Sequence, residues 1–443
     1  MKKKEQWSSG FGFIMAAAGS AIGLGNLWKF PYVTGTNGGG LFLFIYVIFL
    51  VLLGIPILLA ETAVGRYAGM NAVDSCSRIK KGWGFVGGIG ILGAFTVLSG
   101  YNVVGGWVIK YILNSISGNS DVVFTEYTSQ TYEPLVWTLV FSAVTAAIVL
   151  NGVSGGIEKV SSVLLPVLLF FLIGLMIYSL TLPNAIEGVK YLLIPDFSGI
   201  NSLGDIAVIA LNAMGQVFFS LSLGMGTLIT YGSYLDKSSN LTANTVTIVI
   251  LDTLVALISG LVIIPAVFSF GMEVTAGPGL IFSTLPHVFS QMNGGRYASA
   301  LFFILVFFAA ITSAISLLEV VTSWFEAKTG LSRGLSAVIC AVAAFAISCI
   351  ASLSFGALSG VTVGEMIFFD VINYAADKII MPVGGLFICI LVGYIWGIKP
   401  ASDEISNGGK LKFRFRPVFS AAIKYIAPAL IIIIFISSIF FSI

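Results

Sequence analysis

The sequence predicts an all-α membrane protein of about eleven transmembrane helices. Composition is the first reason: of 443 residues, 57% are hydrophobic and 9% charged, against about 25% charged in an average soluble protein. The second is length. Apolar stretches recur along the whole chain, and about 20 such residues cross the roughly 30 Å hydrocarbon core as a helix. The third is an absence: the alternation over about 10 residues that marks a membrane β-barrel does not occur. The net charge of +2 gives no reason to expect nucleic acid or another polyanion as partner.

The expected spans are 10–34, 40–66, 84–112, 134–151, 160–182, 204–233, 241–271, 296–325, 334–354, 370–397 and 417–441. Short loops leave no separate soluble domain, so 1–443 reads as a single membrane domain. The start "MKKKEQW" runs into an apolar stretch without a small-residue cleavage site, so it reads as the first span and not as a signal peptide. Lys2, Lys3 and Lys4, then Arg66, Arg78, Lys80 and Lys81, then Lys399, Lys410, Lys412, Arg414 and Arg416 fall on one side if the spans alternate. The loop 113–133 on the other side holds Asp121, Glu126 and Glu133 without Lys or Arg. This bias predicts a multi-pass plasma-membrane protein with its N-terminus cytoplasmic and its C-terminus outside. Cys76 lies in a basic loop and Cys340, Cys349 and Cys389 in apolar runs, which favours packing residues and a free thiol over a disulfide or metal set.

Two spans carry residues that weaken helices. "GSAIGLGNLWKFP", residues 19–31, holds three glycines, Asn26, Lys29 and Pro31. "GQVFFSLSLGMGTLITYG", residues 215–232, sets Ser220, Ser222, Gly224 and Gly226 in an apolar run. Broken helix at membrane depth is tolerated only inside protein or beside an aqueous cavity, because an unpaired backbone group costs several kcal/mol there. Such glycines can serve close helix packing alone. Here the breaks fall in the first and sixth spans, corresponding positions if spans 1–5 and 6–10 are two halves, which points to a secondary-transporter site. Freed carbonyls suit a small cation and helix N-terminal amides suit a carboxylate. A site offering both suits a zwitterion plus Na⁺.

Ionisable residues within spans are costly and are functional candidates by default. Asp252 sits deep in the seventh span with no basic residue within several turns, so a bound cation or a hydrogen-bonded neutral state must satisfy it. Glu61 could accept bonds from unwound amides, and Glu319 lies nearer the end of its span, within reach of water. Ala309, Thr312 and Ser313 share a helical face, as do Val97 and Tyr101. The hydroxyls could bond back to their own helix or complete an oxygen cage against the first break. Gly156 and Pro166 bracket the start of the fifth span, a place where a helix could open to water, or simply begin with a kink.

At this point whole segments resemble the neurotransmitter:sodium symporters, nearest to the prokaryotic amino-acid branch of multi-hydrophobic amino-acid and tyrosine transporters. They are "AAAGSAIGLGNLWKFPY", "NGGGLFLFIYVIFLVLLGIPILLAETAVGRY", "GQVFFSLSLGMGTLITYGSY", "TLPHVFSQMNGG" and "FFAAITSAISLLE". The resemblance covers nearly the whole chain. It implies two inverted five-helix repeats, 10–182 and 204–397, with broken first and sixth helices, plus an extra helix, 417–441. It implies two sodium sites. One uses Ala21, Asn26, Ser220, Asp252 and the substrate carboxylate; the other uses Gly19, Ile22, Ala309, Thr312 and Ser313. The substrate carboxylate would meet Tyr101 and the amides of Leu24 and Gly25. Its ammonium would meet carbonyls of Ala21, Phe219 and Ser220, with Ser222 nearby. The side-chain pocket would be Val97, Tyr101, Phe219, Met225, Ser313 and Leu317, and Glu61 would brace the sixth helix.

Animal members of the family bind chloride with residues that match Tyr46, Gln216 and Ser220, and have asparagine where Asp252 sits. A fixed carboxylate here implies chloride independence. At the outer gate, the usual arginine–aspartate pair is replaced by Lys29 with Asn373, and Asp370 lies one turn away. At the inner gate Lys4 and Trp7 match the latch, with Glu326 standing beside the position of the usual aspartate. An apolar pocket disfavours charged substrates, so the expected activity is sodium-coupled import of hydrophobic and aromatic L-amino acids by alternating access. Substrate and lipid bilayer are the expected partners, and no oligomer is required. Proton coupling through Asp252, or a sensor without flux, are the alternatives. No nucleophile–base set is visible, and the one histidine, His287, falls in a predicted loop, so an enzyme is not expected.

Overall fold

The computed structural model describes residues 5–118, 123–198, 200, 202–272 and 277–440. Lys4 lies outside the described residues. Nine described helices are long and apolar enough to cross a membrane: Gly40–Ala68, Gly84–Ser117, Glu133–Leu150, Val153–Leu180, Leu241–Ser269, Gly295–Thr329, Arg333–Leu353, Phe368–Ile405 and Arg416–Ile433. A tenth is a bent pair, Gly10–Ala21 and Gly25–Thr36, whose halves meet at 48°. Between them in sequence come Leu203–Ser220 and Thr227–Ser233, two halves of one more broken helix. Taken in chain order these are spans 1 to 11, with the breaks in spans 1 and 6 as the glycine pattern predicted.

Local chemistry sets the ends. Ser9 caps span 1 by accepting the Gly12 amide, Ser202 and Asp205 form a reciprocal capping box at span 6, and Asn240 and Ser332 cap spans 7 and 9. Pro166 and Pro265 lie inside spans 5 and 7. Wide helical turns with one extra residue occur in spans 1, 2, 5, 10 and 11, a feature often found at functional positions. Short helices and one two-stranded hairpin, Thr362–Val363 with Met366–Ile367, fill the connections.

Water does not drive helices together within lipid, so close packing must. Small residues supply it around the second break. A Cβ on Gly65 would stand 1.9 Å from the Ile229 carbonyl oxygen, and one on Gly232 would stand 2.6 Å from that of Thr62, so spans 2 and 6 touch backbone to backbone. Gly384 of span 10 meets the Gly224 carbonyl in the same way. Span 8 is the most interior, with 78% of its apolar window buried, whereas spans 5 and 11 are 28% buried and face outward. Phe44, Val51, Phe170 and Ile177 are among the exposed apolar side chains expected against lipid. Cys76, Cys340 and Cys389 are buried, Cys349 is half-buried, and none is bonded.

Candidate functional site

The two breaks face each other at the centre of the bundle. In span 1 the helix ends at Ala21, Ile22 turns extended with ψ 96°, and helix resumes at Gly25. In span 6 helix ends at Ser220 and resumes at Thr227, with Ser222, Gly224 and Gly226 at φ +53°, +76° and +69°. Left-handed backbone suits glycine, and at Gly224 space adds to the demand, since a Cβ would lie 2.3 Å from the Met381 carbonyl oxygen. The Gly224 amide, freed by the break, donates to the Glu61 carboxylate at 2.7 Å. This bond joins Glu61 of span 2 to the break in span 6. The Ser222 hydroxyl donates to the Ser20 carbonyl at 3.3 Å and ties one break to the other.

Three side chains converge beside the breaks. The Asn26 amide donates to Asp252 Oδ1 at 2.8 Å and to Ser220 Oγ at 3.2 Å, and the Ser220 hydroxyl donates to both Asp252 oxygens at 3.0 and 2.9 Å. All three are fully buried. Asn26 Oδ1 accepts the Gly23 amide at 3.2 Å, holding the turn of the first break. Gln216 and Tyr46 are buried next to this cluster; Gln216 donates to the Gly25 carbonyl at 2.8 Å and its own Oε1 has no described partner.

Of the second expected set, Gly19, Ala309, Thr312 and Ser313 lie together between spans 1 and 8. Ser313 reaches the Ser20 carbonyl at 3.1 Å and that of Gly19 at 3.4 Å. Thr312 bonds back to Phe308 and Ala309 at 2.9 and 3.1 Å, the alternative its spacing left open. Gly19 packs on Thr312, where a Cβ would stand 3.3 Å from the threonine Cβ. Gly23 lies between Ser313 and Tyr101, since a Cβ there would come 2.4 Å from Ser313 Oγ and 2.9 Å from the Tyr101 hydroxyl. The Tyr101 hydroxyl also faces the amides of Leu24 and Gly25.

Above these residues opens a cavity of about 240 Å³. Leu24, Val97, Tyr101 and Phe219 form part of its wall, with Trp28, Tyr32 and Phe369. Met225, Leu317, Ser222 and Ser313 are buried and lie outside this lining. The expected outer pairing is corrected here. Lys29 forms its ion pair with Asp377, not with Asn373 or Asp370, and its ammonium sits 4.0 Å over the Phe219 ring. Asn373 bonds back to the Phe369 carbonyl at 3.0 Å, and Asp370 is exposed at the cavity wall. Span 10 enters the bundle from Phe368, so Asp377 stands deeper than either, level with the lysine. It is one turn beyond Asn373 on the same face, and that i, i+4 relation was the signal that could have found it.

At the other end Trp7 donates to the Tyr231 carbonyl at 3.0 Å and packs edge-on to Tyr231, Tyr234 and Phe13. Glu319 does not reach water: it is fully buried, accepting from Arg333 at 2.6 Å and from Tyr234 at 2.7 Å. Glu158 accepts the Ser8 amide at 2.8 Å and the Ser9 hydroxyl at 3.1 Å, fastening the N-terminal segment to span 5. Neither Arg333 nor Glu158 was singled out by spacing: Glu158 bonds residues 149 and 150 positions away, and Arg333 reaches Glu319 only because span 9 folds back on span 8. Glu326 is half-buried near the same end of span 8. Among the described residues no three His, Cys, Asp or Glu side chains group as a metal site.

The model of the sodium:neurotransmitter symporter family matches residues 4–127 and 121–442. The chain belongs to that family. It is 38% identical over 447 residues to an uncharacterised sodium-dependent transporter, YhdH, of Bacillus subtilis, covering 98% of each chain. It is 32% identical to an uncharacterised sodium-dependent transporter of Methanocaldococcus jannaschii, covering 93% of this chain and 86% of the other. The sodium- and chloride-dependent taurine transporter of Rattus norvegicus is 26% identical over 98% of this chain and 78% of its own. The structure of MhsT in complex with L-phenylalanine superposes with a TM-score of 0.90 at 40% identity, over 98% of this chain and 100% of the other. As a symporter of this family the protein is a sodium-dependent transporter that spans the membrane many times, and not an enzyme.

Proposed function

We propose that this symporter imports hydrophobic and aromatic L-amino acids with Na⁺ and without chloride, by alternating access. The observation that carries the reading is the meeting of Asn26, Ser220 and Asp252 at the point where both breaks face each other. One Na⁺ would take oxygen ligands from the Ala21 carbonyl, Asn26, Ser220, Asp252 and the substrate carboxylate. A second would take the carbonyls of Gly19, Ile22 and Ala309 with the hydroxyls of Thr312 and Ser313. An all-oxygen set of this kind suits a hard cation. The substrate carboxylate would be held by Tyr101 and the amides of Leu24 and Gly25, its ammonium by carbonyls of Ala21, Phe219 and Ser220 beside Ser222. Its side chain would lie among Val97, Tyr101, Phe219, Met225, Ser313 and Leu317.

Chloride independence rests on charge. Tyr46, Gln216 and Ser220 surround a position already served by the Asp252 carboxylate, which Ser220 contacts with its one proton. Coupling follows because the substrate completes an ion site. Na⁺ must then raise substrate affinity by the same factor as substrate raises Na⁺ affinity. Lys29 with Asp377 would gate the cavity from outside, and Trp7 with Lys4 and Glu326 would latch the inside. The end rich in lysine and arginine would be cytoplasmic, in the plasma membrane, with the helix bundle rocking about the central site.

The test is uptake of labelled phenylalanine, tyrosine, tryptophan and leucine into proteoliposomes under inward Na⁺ or K⁺ gradients, with gluconate replacing chloride. Na⁺-driven uptake that persists in gluconate is the expected result. Uptake driven by protons without Na⁺ would overturn the reading, as would saturable binding with no uptake.

A further inference from the structure

Spans 10 and 11 meet at the basic end of the bundle in an unusual contact. Each has a wide turn there, Leu391–Gly397 and Ala422–Ile426. Gly393 lets them touch: a Cβ on it would lie 3.4 Å from both Ile423 Cγ2 and Lys424 Cγ. The Tyr394 hydroxyl donates at 2.6 Å to the Lys424 carbonyl, within the wide turn of span 11. The Lys424 ammonium sits 5.8 Å over the Tyr394 ring.

This lysine stands eight residues into a lipid-facing span, yet no described carboxylate pairs with it. Glu404, on the neighbouring end of span 10, is committed to Arg66 and Lys237 at 2.8 and 2.9 Å. An ionisable group inside a membrane needs a partner. Side chains of a helix tilt toward its N-terminus, and span 11 begins at the basic end, so Lys424 leans back toward headgroup depth. Arg416, Ser420 and Lys424 follow an i, i+4, i+8 stripe. Just before that stripe runs "KLKFRFR", in which Lys410, Lys412, Arg414 and Arg416 are exposed and make no described ion pair. Phe415, Tyr394 and Tyr425 beside it are 61%, 55% and 66% exposed, amphipathic or apolar rings at a depth where such rings favour the lipid interface.

We propose that the face where spans 10 and 11 meet binds the phosphate headgroup of an anionic phospholipid, with Lys424 and Arg416 supplying the charge that attracts it. The Lys410–Arg414 strip gathers such lipids from the leaflet, and the exposed rings lie along their acyl chains. Neutral zwitterionic lipids lack the net charge that this set answers.

The experiment is native mass spectrometry of the full chain in neutral detergent, titrated with phosphatidylglycerol or phosphatidylcholine of the same acyl chains. The wild type should retain phosphatidylglycerol preferentially. With roughly a fivefold affinity change per cation near the surface, Lys424→Gln should weaken it about fivefold and Lys424→Gln with Arg416→Gln about thirtyfold. Lys424→Arg should keep the preference, which separates charge from packing. Lys80→Gln with Lys81→Gln, at the same end but outside this face, should change little. Equal retention of both lipids would overturn the proposal, as would an unchanged Lys424→Gln protein or a Lys80/Lys81 effect as large as that of Lys424 with Arg416. Displacement of the lipid by equimolar inorganic phosphate would overturn the lipid assignment in favour of a free anion.

Discussion

Asp252→Asn removes one charge and almost no volume from the centre of the site. Asp252 now accepts from Asn26 at 2.8 Å and from Ser220 at 3.0 and 2.9 Å, with no cationic side chain in contact. Under the proposed reading a bound Na⁺ balances its charge. Breaking a buried ion pair by removing one member costs about 3–5 kcal/mol. At about 1.4 kcal/mol per tenfold, the half-saturating Na⁺ concentration should rise by roughly two to four orders of magnitude. Ser220, freed from the carboxylate, could then donate to a chloride ion, so chloride should recover part of the loss. The assay is Na⁺ titration of labelled phenylalanine binding to the purified protein, once in chloride and once in gluconate. A variant with wild-type Na⁺ dependence in gluconate would refute the reasoning, because the carboxylate would then not be an ion ligand.

Gly224→Ala should lower the thermal midpoint in detergent and abolish uptake, since the residue is at φ +76° and a Cβ would lie 2.3 Å from the Met381 carbonyl; strained backbone alone costs about 1–3 kcal/mol. Normal uptake by this variant would show that the break is not held by Glu61 and span 10. At the outer gate, Asp377→Asn and Lys29→Gln should slow transport similarly and non-additively, with a coupling of about 1 kcal/mol. Asp370→Asn should be near neutral, and a larger effect there than at Asp377 in an uptake double-mutant cycle would reverse the assignment. At the inner end, Arg333→Met should destabilise by about 3–5 kcal/mol because Glu319 is fully buried. Adding Glu319→Gln should return part of that loss in denaturation of the detergent-solubilised protein, and no return would mean the two do not act as a pair.

Much of the architecture follows from one-dimensional pattern. Span lengths answer to membrane thickness, and the glycines of "GLG" and "GMG" announce broken helices because they recur at corresponding positions of two halves, beside polar residues. Asp252 and Glu61 stood out for the same reason: an isolated carboxylate in an apolar run is conspicuous wherever its partner lies. Ser220 and Asn26 could be named only with the help of the family resemblance, although the structure brings both onto Asp252.

What the tertiary structure decided are the pairings between residues far apart in the chain. Lys29 could reach several polar residues of span 10, and only the depth at which that span enters selects Asp377. Glu319 looked solvent-accessible by its place in span 8, but span 9 folds back to cover it with Arg333. Glu158 holds the N-terminal serines across 149 and 150 positions of sequence. Lys424 reads as one more juxtamembrane cation until Gly393 and Tyr394 are seen against it. The physical reason is common to all four. Hydrophobic length and helix propensity are local properties that the sequence itself determines, whereas the partner of a charge depends on helix depth, rotation and neighbours, which only the packed bundle defines.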